Sequence, residues 1–428
     1  MVFGLIVIQL FRLQVLNHKL YATKANQQQI MKSTIFAKRG EIYFLDGDTP
    51  VPIVMNKKTY TISIDPSLVV KKREEITKKI DEMVGNYRTK TGWDEVFADP
   101  ERKYFVVAKN VPYHETNNLK NADLTGVYEQ ETTTRVYPEG EMAAQVLGFV
   151  NQEGEGQYGV EGSLNKELTG ENGLLKTVKD SNNVPLTIGN ENVKIPAKDG
   201  KNLVLTIDRN IQKKAEEAVD EVTKKFNITY GSAIVMNPAT GQILAMAGKP
   251  GYNPAEYAKV TDAKVFQTDV TMNAFDSASV CKTFAIAAAI DSGVMTPETT
   301  YYNTDRLVID GWPIENAIKG HTGEISMQTV LTYSLNTGSI QALKLLGGSA
   351  SEITYQGKEK LYDYYHNRFN LGKYTGIELP ETKGAIVPPN DIDATDARYA
   401  NMTFGQSLDL SIIQVASAFS AVVNGGEY

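Results

Sequence analysis

Apolar and polar positions along the 428-residue chain change period several times, and each change marks an element. Strict alternation over Tyr60–Ile64 (YTISI), stopped by Asp65-Pro66, predicts a strand, and the β-branched and aromatic run Tyr104–Ala108 (YFVVA) predicts another. Between them Lys71–Val84 has helical spacing. Further on, Asn202–Ile207 (NLVLTI) reads as a strand and Asp208 as an N-cap. The helix behind it is expected to bury one face carrying Ile211, Ala215, Ala218, Val219, Val222 and Phe226. GSAIVM (Gly231–Met236), the turn NPATG and QILAMA (Gln242–Ala247) form a β-hairpin pattern, with both strands expected in the core. Ser279–Ile290 (SVCKTFAIAAAI) is a helix apolar nearly all round, closed by Ser292-Gly293, and belongs in the middle of a domain.

The first sixteen residues (MVFGLIVIQLFRLQVL) are apolar but meet Gln9 and Arg12 before reaching the roughly 20 residues that a membrane span needs. They read as an amphipathic helix or as the tail of a transmembrane helix, and the absence of a small-residue cleavage site argues against a removable signal peptide. Residues 17–38 are polar and Gln-rich, in the manner of a stalk. Gly-rich punctuation from Gly148 to Gly173 and a polar stretch from Asp180 to Lys201 place the main boundary near Lys201. The expected organisation is therefore a partial anchor helix and stalk over 1–37, a strand-rich domain over 38–200 and a second domain over 201–428. A net charge of -7, with no basic run carrying interleaved aromatics, argues against nucleic acid as a partner. One cysteine, Cys281, leaves no internal disulfide framework, and the four histidines have no metal-ligand spacing, so no metal and no cofactor are expected.

The chemistry lies in SVCK. A serine and a lysine three apart on a helix share one face, and burial in an apolar helix drives the lysine toward the neutral form that accepts a serine proton. Ser279 also stands at the helix start, where free N–H groups favour a developing oxyanion. The letters alone are weak, because Ser163–Lys166 (SLNK) matches them in a polar, Gly-flanked stretch where a surface helix is the better reading. Downstream, YSLNTG (Tyr333–Gly338) offers Ser334 and Asn336 as a hydroxyl and an amide on one loop, suited to relaying a proton and holding a peptide carbonyl. An isolated S-x-N is by default a helix cap.

In that order these motifs resemble the penicillin-binding proteins and serine β-lactamases, and the class B penicillin-binding proteins above all. RGEIY (Arg39–Tyr43), RVYPEG (Arg135–Gly140), GQYGVEGSLNKELTGENG, LTIDRNIQ (Leu205–Gln212), AIVMNPATGQILAMA, LGKYTGIELP and TFGQSLDLSIIQVASAFSAVVNGG carry the resemblance across nearly the whole chain. It implies an α+β multidomain protein: a strand-rich pedestal, or dimerisation domain, followed by a transpeptidase domain with a sheet between helices. It further implies one N-terminal membrane helix, a catalytic domain outside the cytoplasmic membrane, and peptidoglycan crosslinking for cell division or cell shape. Partners would be D-Ala-D-Ala stem peptides, β-lactams, a glycosyltransferase and the cell-wall synthesis complex. On this resemblance Ser279 is the acylated nucleophile, Lys282 deprotonates it, Ser334 shuttles a proton to the leaving amine and Asn336 holds the substrate backbone.

The chain also departs from the pattern. Ser277-Ala278 stands where the family has Pro-Gly, with an expected shift of oxyanion geometry, and Phe44-Leu45 replaces an Asp-Arg pair. No K-[ST]-G follows Ser334: Lys373-Tyr374-Thr375-Gly376 has an extra residue and aligns with a structural turn, while Lys90-Thr91-Gly92 precedes the nucleophile. The expectation drawn is a fragment lacking C-terminal strands and impaired in catalysis by itself. A scaffold without catalysis, a D,D-carboxypeptidase and a β-lactamase are the alternatives.

Overall fold

A computed structural model describes residues 11, 12, 17, 30–99, 102, 104–122, 124–178 and 193–428. Apart from Phe11, Arg12 and Asn17, the expected anchor helix and the first part of the stalk lie outside the described residues, as does most of the polar stretch before Lys201. Among the described residues no helix is long and apolar enough to cross a membrane. The chain divides into two compact units, one of Met1–Tyr43, Pro52–Pro138 and Lys166–Leu203, the other of Phe44–Val51, Glu139–Asn165 and Val204–Tyr428.

The first unit is built on the part from Pro52 onward of a long strand, β1 (Thr49–Ile64), whose predicted YTISI segment is its last third. On one side β1 pairs antiparallel with β3 (Val127–Val136), from Met55 opposite Val136 to Ile64 opposite Val127. On the other it pairs with β2 (Phe105–Val111), with irregular register near Ile62. The helix α1 (Arg73–Val84) buries Ile76, Ile80 and Val84, a stripe at four-residue spacing, and α2 (Tyr113–Asn121) buries Leu119. These side chains meet Ile62, Ile64, Val107 and Val111 in one core. A separate antiparallel sheet sets Gly173–Val178 between Ile30–Ile35 and Val193–Ile195. Lys90-Thr91-Gly92 is a turn in this unit: the Arg88 guanidinium donates to the Thr91 carbonyl at 3.1 Å, and Gly92 caps the short helix Trp93–Val96.

In the second unit Asp208 caps α3 (Arg209–Phe226) by accepting from the N–H groups of Asn210 and Ile211. The hairpin forms where expected, β4 (Gly231–Met236) against β5 (Ile243–Lys249), with a bulge between Val235 and Met236. β5 buries Ala245, Met246 and Ala247, whereas every residue of β4 is half-buried, with Ala233 and Val235 packed against Ala215, Val219, Ala245 and Ala247. The buried face of α3 also differs from expectation. It is Gln212, Ala215, Val219 and Thr223, and Ala218, Val222 and Phe226 face solvent. The cause is polar: the Gln212 amide accepts from Met246 N–H at 2.8 Å and donates to Met246 C=O at 2.9 Å, and this pair of hydrogen bonds to β5 holds that side of the helix inward.

The large core of the second unit surrounds α4 (Cys281–Asp291), α5 (Asn336–Leu346) and α6 (Ile412–Val423). α4 buries Cys281, Phe284, Ala285, Ile286, Ala288 and Ala289, in keeping with its all-round apolar sequence, and ends at Ser292 with Gly293 at φ 68°. Lys373–Gly376 is a turn held by the Glu381 carboxylate, which accepts from the Thr375 N–H, the Thr375 hydroxyl and the Gly376 N–H.

Candidate active site

Two short segments bring the candidate residues together. Ser279 is the middle residue of a 3₁₀ turn, Ala278–Val280, that runs directly into α4, so Lys282 follows one turn later on the same face. Tyr333, Ser334 and Leu335 link the helix Met327–Thr332 to α5, and Asn336 is the first residue of α5 rather than a loop residue. Ser334 takes a left-handed conformation, φ 55°, a cost of about 1–2 kcal/mol for a non-glycine residue that the surrounding contacts must offset.

Lys282 is where the segments meet. Its Nζ donates to Ser279 Oγ at 3.1 Å, to Ser334 Oγ at 2.9 Å and to the Ser334 carbonyl at 2.7 Å. The side chain is 2% exposed, whereas Ser279 faces solvent. Burial pushes the Lys282 ammonium down to about 8. Among the described residues its hydrogen bonds go to two hydroxyls and a carbonyl, with no carboxylate to hold the proton on. An amine so placed is able to take a proton from one hydroxyl and pass it toward the other.

Asn336 donates its side-chain N–H to the Glu315 carbonyl at 2.8 Å, which fixes the amide plane. Cys281, one residue before Lys282, is fully buried; its Sγ lies 2.9 Å from Ser277 Oγ, and burial pushes the thiol up to about 11, away from thiolate chemistry. The turn before the nucleophile survives the loss of glycine: Ala278 takes φ 54°, and its N–H donates to the Gly405 carbonyl at 2.9 Å. Gly405 is glycine for a reason of space, since a Cβ there would lie 1.9 Å from the Ala278 carbonyl oxygen. Ser163, by contrast, ends a five-residue helix, exposed to solvent. Among the described residues no three His, Cys, Asp or Glu side chains group as metal ligands would.

Sequence reading missed a buried polar group beside this site, formed by Asn303, Asp305, Asn316 and Thr337. Nothing in the letters marks it, because its members are spread over more than thirty residues and each is ordinary in a loop.

Two family models match the chain: the penicillin-binding protein dimerisation domain over residues 34–205 and the penicillin binding protein transpeptidase domain over 231–428. Among curated proteins it is similar to stage V sporulation protein D of Bacillus subtilis, 28% identical over 91% of this chain and 58% of the relative. It is also similar to the probable peptidoglycan D,D-transpeptidase PbpC of Pseudomonas aeruginosa, 27% identical over 98% of this chain and 70% of that one. The chain thus spans a little over half the length of the sporulation protein. Among solved structures, penicillin-binding protein 2X of Streptococcus thermophilus shares the fold with a TM-score of 0.70 at 23% identity, over 92% of this chain and 60% of that one. PBP2 of Helicobacter pylori, solved in complex with MreC, does so with a TM-score of 0.72 at 18% identity, over 92% and 78%.

Proposed function

We propose that this chain, which belongs to the penicillin-binding protein family, carries the acyl-transfer centre of a peptidoglycan D,D-transpeptidase. The observation that supports this most directly is the buried Lys282 amine bonded at once to the Ser279 and Ser334 hydroxyls. In the reaction Ser279 Oγ attacks the carbonyl carbon of the penultimate D-alanine of a stem peptide while its proton passes to neutral Lys282 Nζ. The tetrahedral intermediate collapses with cleavage of the peptide C–N bond. The leaving amine of the terminal D-alanine takes a proton through Ser334 Oγ, which is replenished from Lys282. An amine of a neighbouring stem peptide then attacks the ester and restores the Ser279 hydroxyl. Asn336, its N–H group held by Glu315, offers its carbonyl oxygen to the substrate backbone.

Penicillin offers a β-lactam carbonyl to the same attack, and the amine released when the strained ring C–N bond opens stays attached to the acyl group. The setting proposed is the outer face of the cytoplasmic membrane, with other cell-wall synthesis proteins as partners; the complex of Helicobacter pylori PBP2 with MreC supports a partner of that kind.

Fluorescent penicillin followed by peptide mass spectrometry tests the reading. One stable adduct on the peptide containing Ser279, absent in Ser279→Ala, is the expected result. No adduct where a known transpeptidase labels fully points to a non-catalytic scaffold, and rapid release of hydrolysed penicillin points to a β-lactamase.

A further inference from the structure

Directly behind Ser334 and Asn336 lies the buried polar group that the acyl-transfer steps do not use. Asp305, 8% exposed, takes φ 56° and receives four donors. The side-chain N–H groups of Asn303 and Asn316 reach Oδ1, each at 2.9 Å, and the Gly320 N–H at 2.9 Å and the Thr322 hydroxyl at 3.2 Å reach Oδ2. Those bonds, that from Asn316 foremost, hold its carboxyl well below the usual carboxylate range, so it is ionised at neutral pH.

The consequence is directional. Asn316 donates from its side-chain nitrogen to Asp305 and, at 3.0 Å, to the Thr337 hydroxyl, and in that orientation its carbonyl oxygen accepts from the Thr337 backbone N–H at 3.0 Å. Thr337 is the second residue of α5, in the first turn, whose N–H groups have no partner within the helix. Leu335, at the cap position, has no side chain to accept from them. Asn316 is therefore the helix cap supplied from another stretch of chain, and the Thr337 hydroxyl locks it further by donating to Asn303 Oδ1 at 2.7 Å.

We infer that Asp305 is a positioning residue for Ser334 and Asn336: by orienting Asn316 it holds the start of α5, and so places the Ser334 hydroxyl and carbonyl on Lys282. A carboxylate is required there and an amide does not serve, because the four groups facing it all donate to it and three of them, the Asn303, Asn316 and Gly320 N–H groups, cannot accept. An asparagine at 305 turns its own N–H₂ against one pair of them. The catalytic half of the inference rests on the acyl-transfer reading above, and the structural half rests on the geometry alone.

Asp305→Asn and Asn316→Ala in the whole protein, read by amide hydrogen exchange and by the pH dependence of penicillin acylation, test it. Exchange is expected to rise over residues 334–340 while α4 and α6 keep the protection of the parent. Acylation at pH 7 is expected to fall roughly tenfold or more, as displaced catalytic groups do. The groups facing Lys282 are the Ser279 and Ser334 hydroxyls and the Ser334 carbonyl, so its proton affinity reports its burial. With Ser334 displaced, water reaches the amine and the midpoint of the acylation pH profile moves upward from about 8. Unchanged exchange over 334–340 overturns the inference whatever happens to acylation. So does a rise spread evenly over the second unit with the acylation midpoint unmoved, which is what a simple loss of stability produces. If the parent itself takes no penicillin, the acyl-transfer reading falls, while a rise confined to 334–340 still upholds the hold of Asp305 on that segment.

Discussion

Lys282 owes its chemistry to where its side chain ends rather than to what it is. In water an amine of this kind is charged at neutral pH, but burial lowers it to about 8, so about one molecule in ten is neutral at pH 7. The form that accepts the Ser279 proton is the neutral one, so acylation by penicillin should climb through pH 8 and level off about one unit above it. A rate that falls across that window contradicts Lys282 as the base. Lys282→Arg keeps the charge and the reach but cannot lose its proton, and acylation should drop by roughly 10²–10⁴, the range for removing a general base. Ala278 offers a second test at this scale. At φ 54° its Cβ is strained, and Ala278→Gly removes that strain at some entropic cost in the unfolded chain, for a net gain of about 0.5–1 kcal/mol. Thermal unfolding should rise by a few degrees at most, with the Ser279 adduct still forming; a lower melting temperature contradicts the strain.

Among elements, α3 shows what apolar spacing conveys and what it leaves out. The cap at Asp208 is plain in the sequence, and its carboxylate accepts from Asn210 at 2.8 Å and Ile211 at 2.9 Å. Asp208→Ala should cost about 1 kcal/mol, the usual worth of such a cap, measured as a shift in the denaturant midpoint. The Ile211 N–H foremost holds the Asp208 carboxyl below the ordinary aspartate range. A lowered folded value means that this contribution is complete above the unfolded value and is lost as pH falls through the folded one, so the parent and the alanine variant should converge in acid. The rotation of the same helix was not legible. A count of apolar residues selects Val222 and Phe226, whereas Gln212 takes the inner face because two backbone groups of Met246 need its amide. The Asp305 group was hidden for the same reason. Periodicity reports apolar burial, and a buried polar cluster built from Asn303, Asp305, Asn316 and Thr337 has no period. By contrast α4 and the hairpin were legible because each is specified locally, by an unbroken apolar run in one and by Pro and Gly at the turn in the other. The pairing of Ser334 with Lys282 joins positions 52 residues apart and was available only through resemblance.

For the molecule as a whole, the two units have separate cores, and the site draws on one of them. Ile80, fully buried, packs with Ile62, Ile64 and Val107 in the first unit. Leu343, equally buried, lies on α5 among the residues that surround α4. Truncating either to alanine removes the transfer free energy of three carbons and leaves a cavity, about 2–5 kcal/mol in a well-packed interior. The same loss of stability should have unequal effects on the chemistry. Leu343→Ala loosens the helix whose first turn carries Asn336 and Thr337, so acylation per folded molecule should fall along with stability. Ile80→Ala touches no residue of the second core, so its folded molecules should acylate at the parental rate. The comparison needs acylation rates normalised to the folded fraction, measured below the onset of unfolding for both variants. Equal slowing in the two contradicts a site supported by the second core alone. Slowing confined to Leu343→Ala places the mechanical support of Ser279, Lys282 and Ser334 in the packing between α4 and α5.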